Sequence, residues 1–362
     1  MAADRPRPRL TPARADIRRA VRDALADLAP DIRVENAGDS AEDAANSGAV
    51  EATRAESPAF LDRPLVLVAL SGGADSLALA AATAFEAPRA GIRAGAVVVD
   101  HGLQPGSDAV AIRAAEQARE LGLEPVVAVT VEVDGPGGPE AAARDARYAA
   151  LAEVARENDA AAVLLAHTLD DQAETVLLGL ARGSGTASLQ GMDAVSGILR
   201  RPLLGIRRET TRRACLDEGL EPWDDPHNAD PAYARVRVRE RVLPVLEAEL
   251  GPGVAEALAR TAELVREDAE AFQRQIDELI EDICEPAEAG IAVSATALAA
   301  NPTALRNRVI RFVVLAEFGV SLTRAHTLEV ARLVTDWHGQ GSIDLPGLTA
   351  RREGRLIVFT AS

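Results

Sequence analysis

The chain has 362 residues, of which 48% are apolar, 26% charged and only 3% aromatic, enough apolar material to bury a sizeable core and too much for disorder throughout. Its formal net charge of −17 opposes close approach to any polyanion. All 39 basic residues are arginine, which excludes a Walker A P-loop and a Schiff-base lysine, since both need the missing amine.

No stretch approaches 18 uninterrupted apolar residues, and the N-terminus lacks a secretory apolar core, so a cytoplasmic protein with no membrane association is expected. Cys215 and Cys284 stand alone, without CxxC spacing, and indicate neither a metal site nor a redox pair. Nothing in the sequence points to a protein partner.

In chain order, Ile17, Val21, Leu25 and Leu28 recur at helical spacing and predict an amphipathic helix over 14–29. Residues 31–62 hold eight acids against two arginines with no periodicity, the pattern of a mobile acidic insertion. Apolar runs at 65–70, 94–100, 125–133 and 161–167 read as strands, with helices near 76–87, 108–122 and 140–158 between them. That alternation predicts an α/β fold with a doubly wound parallel sheet, whose ligand sites lie at the carboxyl ends of the strands. An arginine-containing connection follows over 199–244, then helices over 254–283, 302–318 and 323–337, and a small hairpin at the C-terminus. The expected division is a helix and flexible insertion over 1–62, a parallel-sheet domain over 63–215, a connecting segment over 216–250, and a mainly helical domain over 251–362.

The unusual residues fall at the predicted strand ends. Ser71, Gly72, Gly73, Ala74, Asp75 and Ser76 follow the first strand and run into a helix. Two glycines permit a sharp turn, the helix N-terminus offers its amides, and the serines offer hydroxyls, which together make a phosphate cradle. A Gly-Gly-Ser helix cap would account for the same glycines; Asp75 favours the cradle, because an acid beside phosphates fits a bound Mg²⁺. Asp100 and His101 end the second strand. His167 ends the fourth, ahead of Asp170 and Glu174, which lie four apart on one helix face, where they could hold Mg²⁺ or neutralise an incoming ammonium. Asp171 fits a first-turn dipole role equally well. Arg144 opens the helix after the third strand and could clamp a phosphate or a carboxylate. Residues 200–213 hold six arginines against one glutamate, and 235–241 four against one; these are candidate RNA phosphate contacts, or else a face salt-bridged to the protein's own acids.

With these residues in place, the chain resembles the tRNA(Ile)-lysidine synthase family of the N-type ATP pyrophosphatase (PP-loop) superfamily. SGGADS at 71–76 is similar to the PP-loop, and the more telling string is AHTLDDQAETVLLGLARGSGTASLQGM at 166–192. VDHGLQ at 99–104, EAAARDARY at 140–148, RPLL at 201–204, WDDPHNAD at 223–230 and RVLPVLE at 241–247 accompany it in order, so the resemblance covers roughly 65–250. His227 stands where the family pattern has serine, the acidic insertion is atypical, and the extra terminal domain of longer members is expected to be absent.

The resemblance implies ATP- and Mg²⁺-dependent adenylation of the C2 oxygen of the wobble cytidine (position 34) in a CAU-anticodon tRNA(Ile), with release of pyrophosphate. Free lysine then displaces AMP to give lysidine, changing codon reading from AUG to AUA. On this reading Ser71–Ser76 bind ATP, Asp75 and Asp170 are the metal candidates, and Asp75, Arg144, His167, Asp170 and Glu174 are the catalytic candidates. A thiolase of the same superfamily would be expected to use cysteines, a glutamine-dependent amidotransferase an amidase domain, and a non-catalytic nucleotide module would not need the carboxylate string.

Overall fold

The computed structural model describes residues 10–29, 62–102, 106–131, 139–183, 185–288 and 290–362. The acidic insertion, apart from Asp62, lies outside these residues. The chain forms two compact units, 1–263 and 264–362.

In the first unit, β1 (Leu65–Leu70) is buried at every position, as its unbroken apolar sequence requires of a strand covered on both faces. It pairs in parallel with β2 (Arg93–Asp100) on one side and β4 (Ala160–Leu164) on the other. β3 (Val126–Thr130) flanks β2, and β6 (Leu199–Arg200) flanks β4, both in parallel. Only the two-residue β5 (Val195–Ser196) runs antiparallel, at the edge, giving the order β3-β2-β1-β4-β6-β5. The strand order therefore reverses between β1 and β4, and in a sheet of this type ligands bind in the crevice beyond that reversal. The two loops that leave β1 and β4 are SGGADS and the His167–Glu174 string.

Helices follow the strands in alternation: α2 (Ala74–Glu86) after β1, α3 (Ser107–Glu120) after β2, α4 (Pro139–Glu157) after β3 and α5 (Leu169–Arg182) after β4. The predicted opening helix is α1 (Pro12–Leu25), capped by Thr11, with Ile17, Val21 and Leu25 at most 1% exposed. Each such side chain contributes about 1.5–3 kcal/mol by leaving water. Arg14 at 2.5 Å from Glu218 and Arg22 at 2.9 Å from Glu86 fix its ends to the unit.

The connection is more structured than its composition suggests. It contains α6 (Arg208–Asp217), a short α7 (Ala234–Arg237), a π-helical turn over Val238–Val242 and α8 (Leu243–Leu250). The 30-residue α9 (Val254–Ile283) follows.

The second unit is mainly helical, as expected, and adds a sheet that the sequence reading showed only as a terminal hairpin. Beside the later turns of α9 it contains α10 (Ala295–Ala300), α11 (Thr303–Phe318) and α12 (Arg324–Thr335), together with a five-stranded antiparallel sheet. The predicted terminal hairpin is β10 (Leu348–Glu353) with β11 (Leu356–Ala361). β9 (Ile343–Leu345) adds to one edge, and β8 (Gly290–Ser294) then β7 (Cys284–Ala287) to the other. A hairpin alone is marginal in water; pairing into five strands over Leu298, Val309, Val330 and Phe359 gives it a buried face. No helix among the described residues is long and apolar enough to cross a membrane.

Candidate active site

The loop leaving β1 is braced from within. Gly72 adopts φ +81°, which favours glycine, and its backbone packs on α3, where an added Cβ would lie 3.5 Å from that of Ala114. The Ser76 hydroxyl accepts from the Ser71 amide at 3.2 Å and donates to the Gly73 carbonyl at 2.9 Å. Its one proton is thereby spent on the loop, so in the 3.2 Å contact between the two hydroxyls Ser71 donates to Ser76, and Ser71, which is exposed, keeps acceptor capacity toward solvent.

A cavity of about 350 Å³ opens beside this loop. Val97–Val99 of β2 with Val110 and Ala111 of α3 give it an apolar wall, while Ser71, Gly73, Asp100, His101 and Arg147 give it a polar end. A flat base against the wall and phosphates at the loop would use both. Arg147 is the residue that sequence reasoning missed. Arg144, the expected clamp, is exposed and turned to its own helix neighbour, with Nη2 donating to the Tyr148 hydroxyl at 3.3 Å. Arg147, one turn further along α4, lines the cavity and makes no ion pair among the described residues; burial lowers its pKa, and neighbouring Arg144 adds to the fall. The signal in the sequence is the string ARDARY at 143–148, which offers two arginines three apart on one helix. Trp223, Asp225 and Asn228 also line the cavity, carried there by the connection.

A second cluster lies around Asp75. Its carboxylate accepts a short hydrogen bond from the Thr211 hydroxyl and lies 3.6 Å from Arg208 Nε. Burial raises the Asp75 pKa above the ordinary carboxylate value, against the pull of Thr211 and Arg208. Arg208, at the start of α6, reaches across to α5. Its backbone amide donates to Asp170 at 2.8 Å, Nη2 to Asp171 at 2.6 Å and Nη1 to Glu174 at 3.1 Å. Thr168 and Asp171 form a capping box, so Asp171 sits at the first turn as the dipole reading expects, and it also pairs with Arg208.

Asp170 and Glu174, expected to share a substrate-facing surface, have different surroundings. Glu174 is fully buried and takes Arg239 in a fork at 2.7 and 3.1 Å, Arg208 at 3.1 Å and Arg235 at 3.7 Å. Asp170 keeps 16% exposure, with Arg207 Nη2 at 3.3 Å from its second oxygen. The arginine runs are accordingly corrected in part. Arg207, Arg208, Arg235 and Arg239 pair with the protein's own carboxylates, and Arg213, 70% exposed, with Asp217 one turn on, as the salt-bridged alternative has it. Arg212 is exposed.

His167 and His101 each bury an Nδ1 with no hydrogen-bond partner among the described residues. Burial pushes the His167 imidazole down to about 3, with Arg147, Arg201 and Arg144 adding to the fall and Asp171 opposing it. It is neutral at pH 7. The pH–rate profile of the free enzyme should therefore carry no inflection near 6.5 from His167; a His167→Gln variant that erases such an inflection would refute this. Burial also pushes the Cys215 and Cys284 thiols up to about 11, which leaves them poor nucleophiles.

A metal fits this donor set sparingly. No group of three or more His, Cys, Asp or Glu is arranged to hold an ion among the described residues. Mg²⁺ at a nucleotide needs only one or two carboxylates beside the phosphates. Asp75, 27% exposed, meets that requirement, whereas Asp170 accepts from the Arg208 amide through one oxygen and is ion-paired to Arg207 through the other.

Residues 49–246 match the PP-loop domain family, and residues 294–356 match the TilS substrate binding domain. The tRNA(Ile)-lysidine synthase of Leifsonia xyli subsp. xyli is 64% identical over 296 residues, 82% of this chain and 89% of that protein. Those of Streptomyces coelicolor and Thermobifida fusca are 55% and 53% identical, covering 86% and 81% of this chain and 89% and 91% of their own. A braced glycine loop at the sheet's reversal point, the string that follows β4, and matches of this extent in both units place the chain in the tRNA(Ile)-lysidine synthase family.

Proposed function

We propose that this protein adenylates the C2 oxygen of the wobble cytidine in a CAU-anticodon tRNA(Ile) and then installs the ε-amine of free lysine at that carbon. The observation that carries the reading is the juxtaposition of the braced loop, the cavity with its unpaired Arg147, and Asp75 at the first turn of α2.

The chemistry follows from these groups. C2 of cytidine is amide-like and a poor electrophile. Its oxygen attacks the α-phosphorus of ATP, the bond to the β-phosphate oxygen breaks, and pyrophosphate leaves. The loop amides between Ser71 and Ala74, with the α2 N-terminus, stabilise charge on the departing pyrophosphate. Arg147 is placed to neutralise the phosphoryl oxygens, and Asp75 would hold Mg²⁺, which supplies charge neutralisation to the phosphates. In the second step the lysine amine attacks C2, AMP departs with the former carbonyl oxygen, and the amine loses a proton. Asp170, which keeps 16% exposure beside Arg207, is the carboxylate that an ammonium arriving from solvent can reach; Glu174 is fully buried and committed to three arginines.

Exchange of labelled pyrophosphate into ATP should require a tRNA(Ile) transcript with a CAU anticodon, and adding lysine should convert the transcript with one AMP formed per lysidine. ADP and orthophosphate as the main products, or exchange indifferent to the anticodon, would overturn the proposal.

A further inference from the structure

Behind the phosphate loop, the connection crosses α3 as an extended strap, residues 221–223. Two sets of bonds hold it. The Trp223 amide donates to the Gly72 carbonyl at 2.9 Å. Gln117 of α3 grips Glu221 at both backbone groups: its Oε1 accepts from the Glu221 amide at 3.1 Å and its Nε2 donates to the Glu221 carbonyl at 3.2 Å.

We infer that Gln117, although it touches no substrate, is a positioning residue for the phosphate loop, because it clamps the strap whose Trp223 amide sets the plane of the Gly72–Gly73 peptide. Gly72 lies at φ +81° and has no side chain to limit rotation of the peptide that follows it. Something outside the loop must therefore fix that plane. In a trans peptide the carbonyl and the next N–H point in opposite directions. Holding the Gly72 carbonyl against the strap thus turns the Gly73 N–H away from the strap and makes it a donor of fixed direction at the loop that lines the nucleotide cavity. A cavity of about 170 Å³ lined by Gly72, Val110, Ala114, Gln117, Glu221 and Trp223 opens between strap and helix, so contact there is incomplete and the bonds carry much of the hold. Both partners of Gln117 are main-chain atoms, so the clamp is independent of the side chain at 221.

The inference rests on residues 71–76 being the loop that grips the phosphates of ATP, and the test separates the two. The chain has two tryptophans, so a Trp337→Phe background leaves Trp223, which lines the cavity, as a direct reporter of ATP binding. In that background Gln117→Leu, which loses both clamp bonds, should weaken ATP binding about tenfold, and Gln117→Glu, which keeps only the acceptor, should fall between it and the parent. In turnover, KM for ATP should rise in the same order while KM for tRNA stays within about twofold, a split that general loosening of the fold would not produce. If Gln117→Leu does not fold, the shift in Gln117→Glu decides. Parent protein that binds no ATP would remove the loop reading and the inference with it. Parent protein that binds ATP, with variants that match it or that shift both KM values together, would overturn the inference alone.

Discussion

Asp75→Ala is expected to slow adenylation by roughly a thousandfold or more, and to lower the melting temperature by only a few degrees. The rate loss follows from position: a carboxylate in the first turn of the helix that opens at the phosphate loop is where charge on a leaving pyrophosphate is managed, and removing such a group costs several kcal/mol of transition-state stabilisation, at about 1.4 kcal/mol per tenfold. The stability cost is small for reasons visible in the same contacts. The Thr211 hydroxyl keeps a second acceptor, the Arg208 carbonyl at 2.7 Å, and Arg208 keeps Asp171 and Glu174. One hydrogen bond lost from a 27%-exposed side chain costs about 0.5–1.5 kcal/mol, and relief of a desolvated carboxylate near Asp171 offsets part of it. Asp75→Asn keeps shape and acceptor but not charge and should be nearly as inactive. Because burial raises the Asp75 pKa, the active ionised form is lost as pH falls through a value above that of an ordinary carboxylate, and the acid limb of the rate profile lies correspondingly high. Near-normal turnover of Asp75→Ala at saturating Mg²⁺ would make the residue structural.

The parallel sheet and its two functional loops were legible because they depend on local signals. A fully apolar run such as 65–70 has no stable place except between two covered faces, and Gly-Gly followed by an acid has few uses other than a turn into a helix at a ligand edge. Strands β7 and β8 were not legible: Cys284–Ala287 contains a proline and a glutamate, continues directly from a 30-residue helix, and becomes a strand by pairing with Gly290–Ser294. Arg144 and Arg147 could not be ranked from periodicity, since both lie on one helix and only the packing of α4 selects the one that enters the cavity.

The arginines illustrate the harder limit. Counting charges along 200–213 and 235–241 shows a basic surplus but not its counter-charges, because, Asp217 apart, the acids paired with it lie 34 to 173 residues away in sequence. An ion pair of that separation is a product of the fold. The −17 net charge was a better guide than the local runs: in a chain with such an excess of acids, a half-buried arginine meets a carboxylate of its own protein before it meets RNA.

Glu174→Ala should therefore lower stability by about 3–5 kcal/mol, the range for removing one partner of a buried charged cluster. Glu174 is fully buried and is the acceptor on which Arg208 of α6, Arg235 of α7 and Arg239 of the π-helical turn converge. Without it, Arg208 and Arg239 share Asp171, at 2.6 and 3.5 Å, and among the described residues Arg235 keeps only the Thr175 hydroxyl at 3.1 Å. Replacement by glutamine preserves volume but turns an amide N–H₂ toward cations, so it should recover little. Much of the penalty is the stranding of Arg239, so Glu174→Ala combined with Arg239→Ala should cost less than the sum of the two single variants by about 0.5–3 kcal/mol. Denaturant melts of the four proteins measure that coupling, and lysine KM measured on the same set separates scaffold from substrate contact. If Glu174 instead held the lysine ammonium, Glu174→Ala would raise lysine KM many-fold with an unchanged denaturation midpoint, and the double variant would show no coupling to Arg239. A buried carboxylate with three arginine partners from two other segments is built for the first outcome: it docks the connection against α5, and so fixes the helix on which Asp170, one turn earlier, is proposed to orient the lysine.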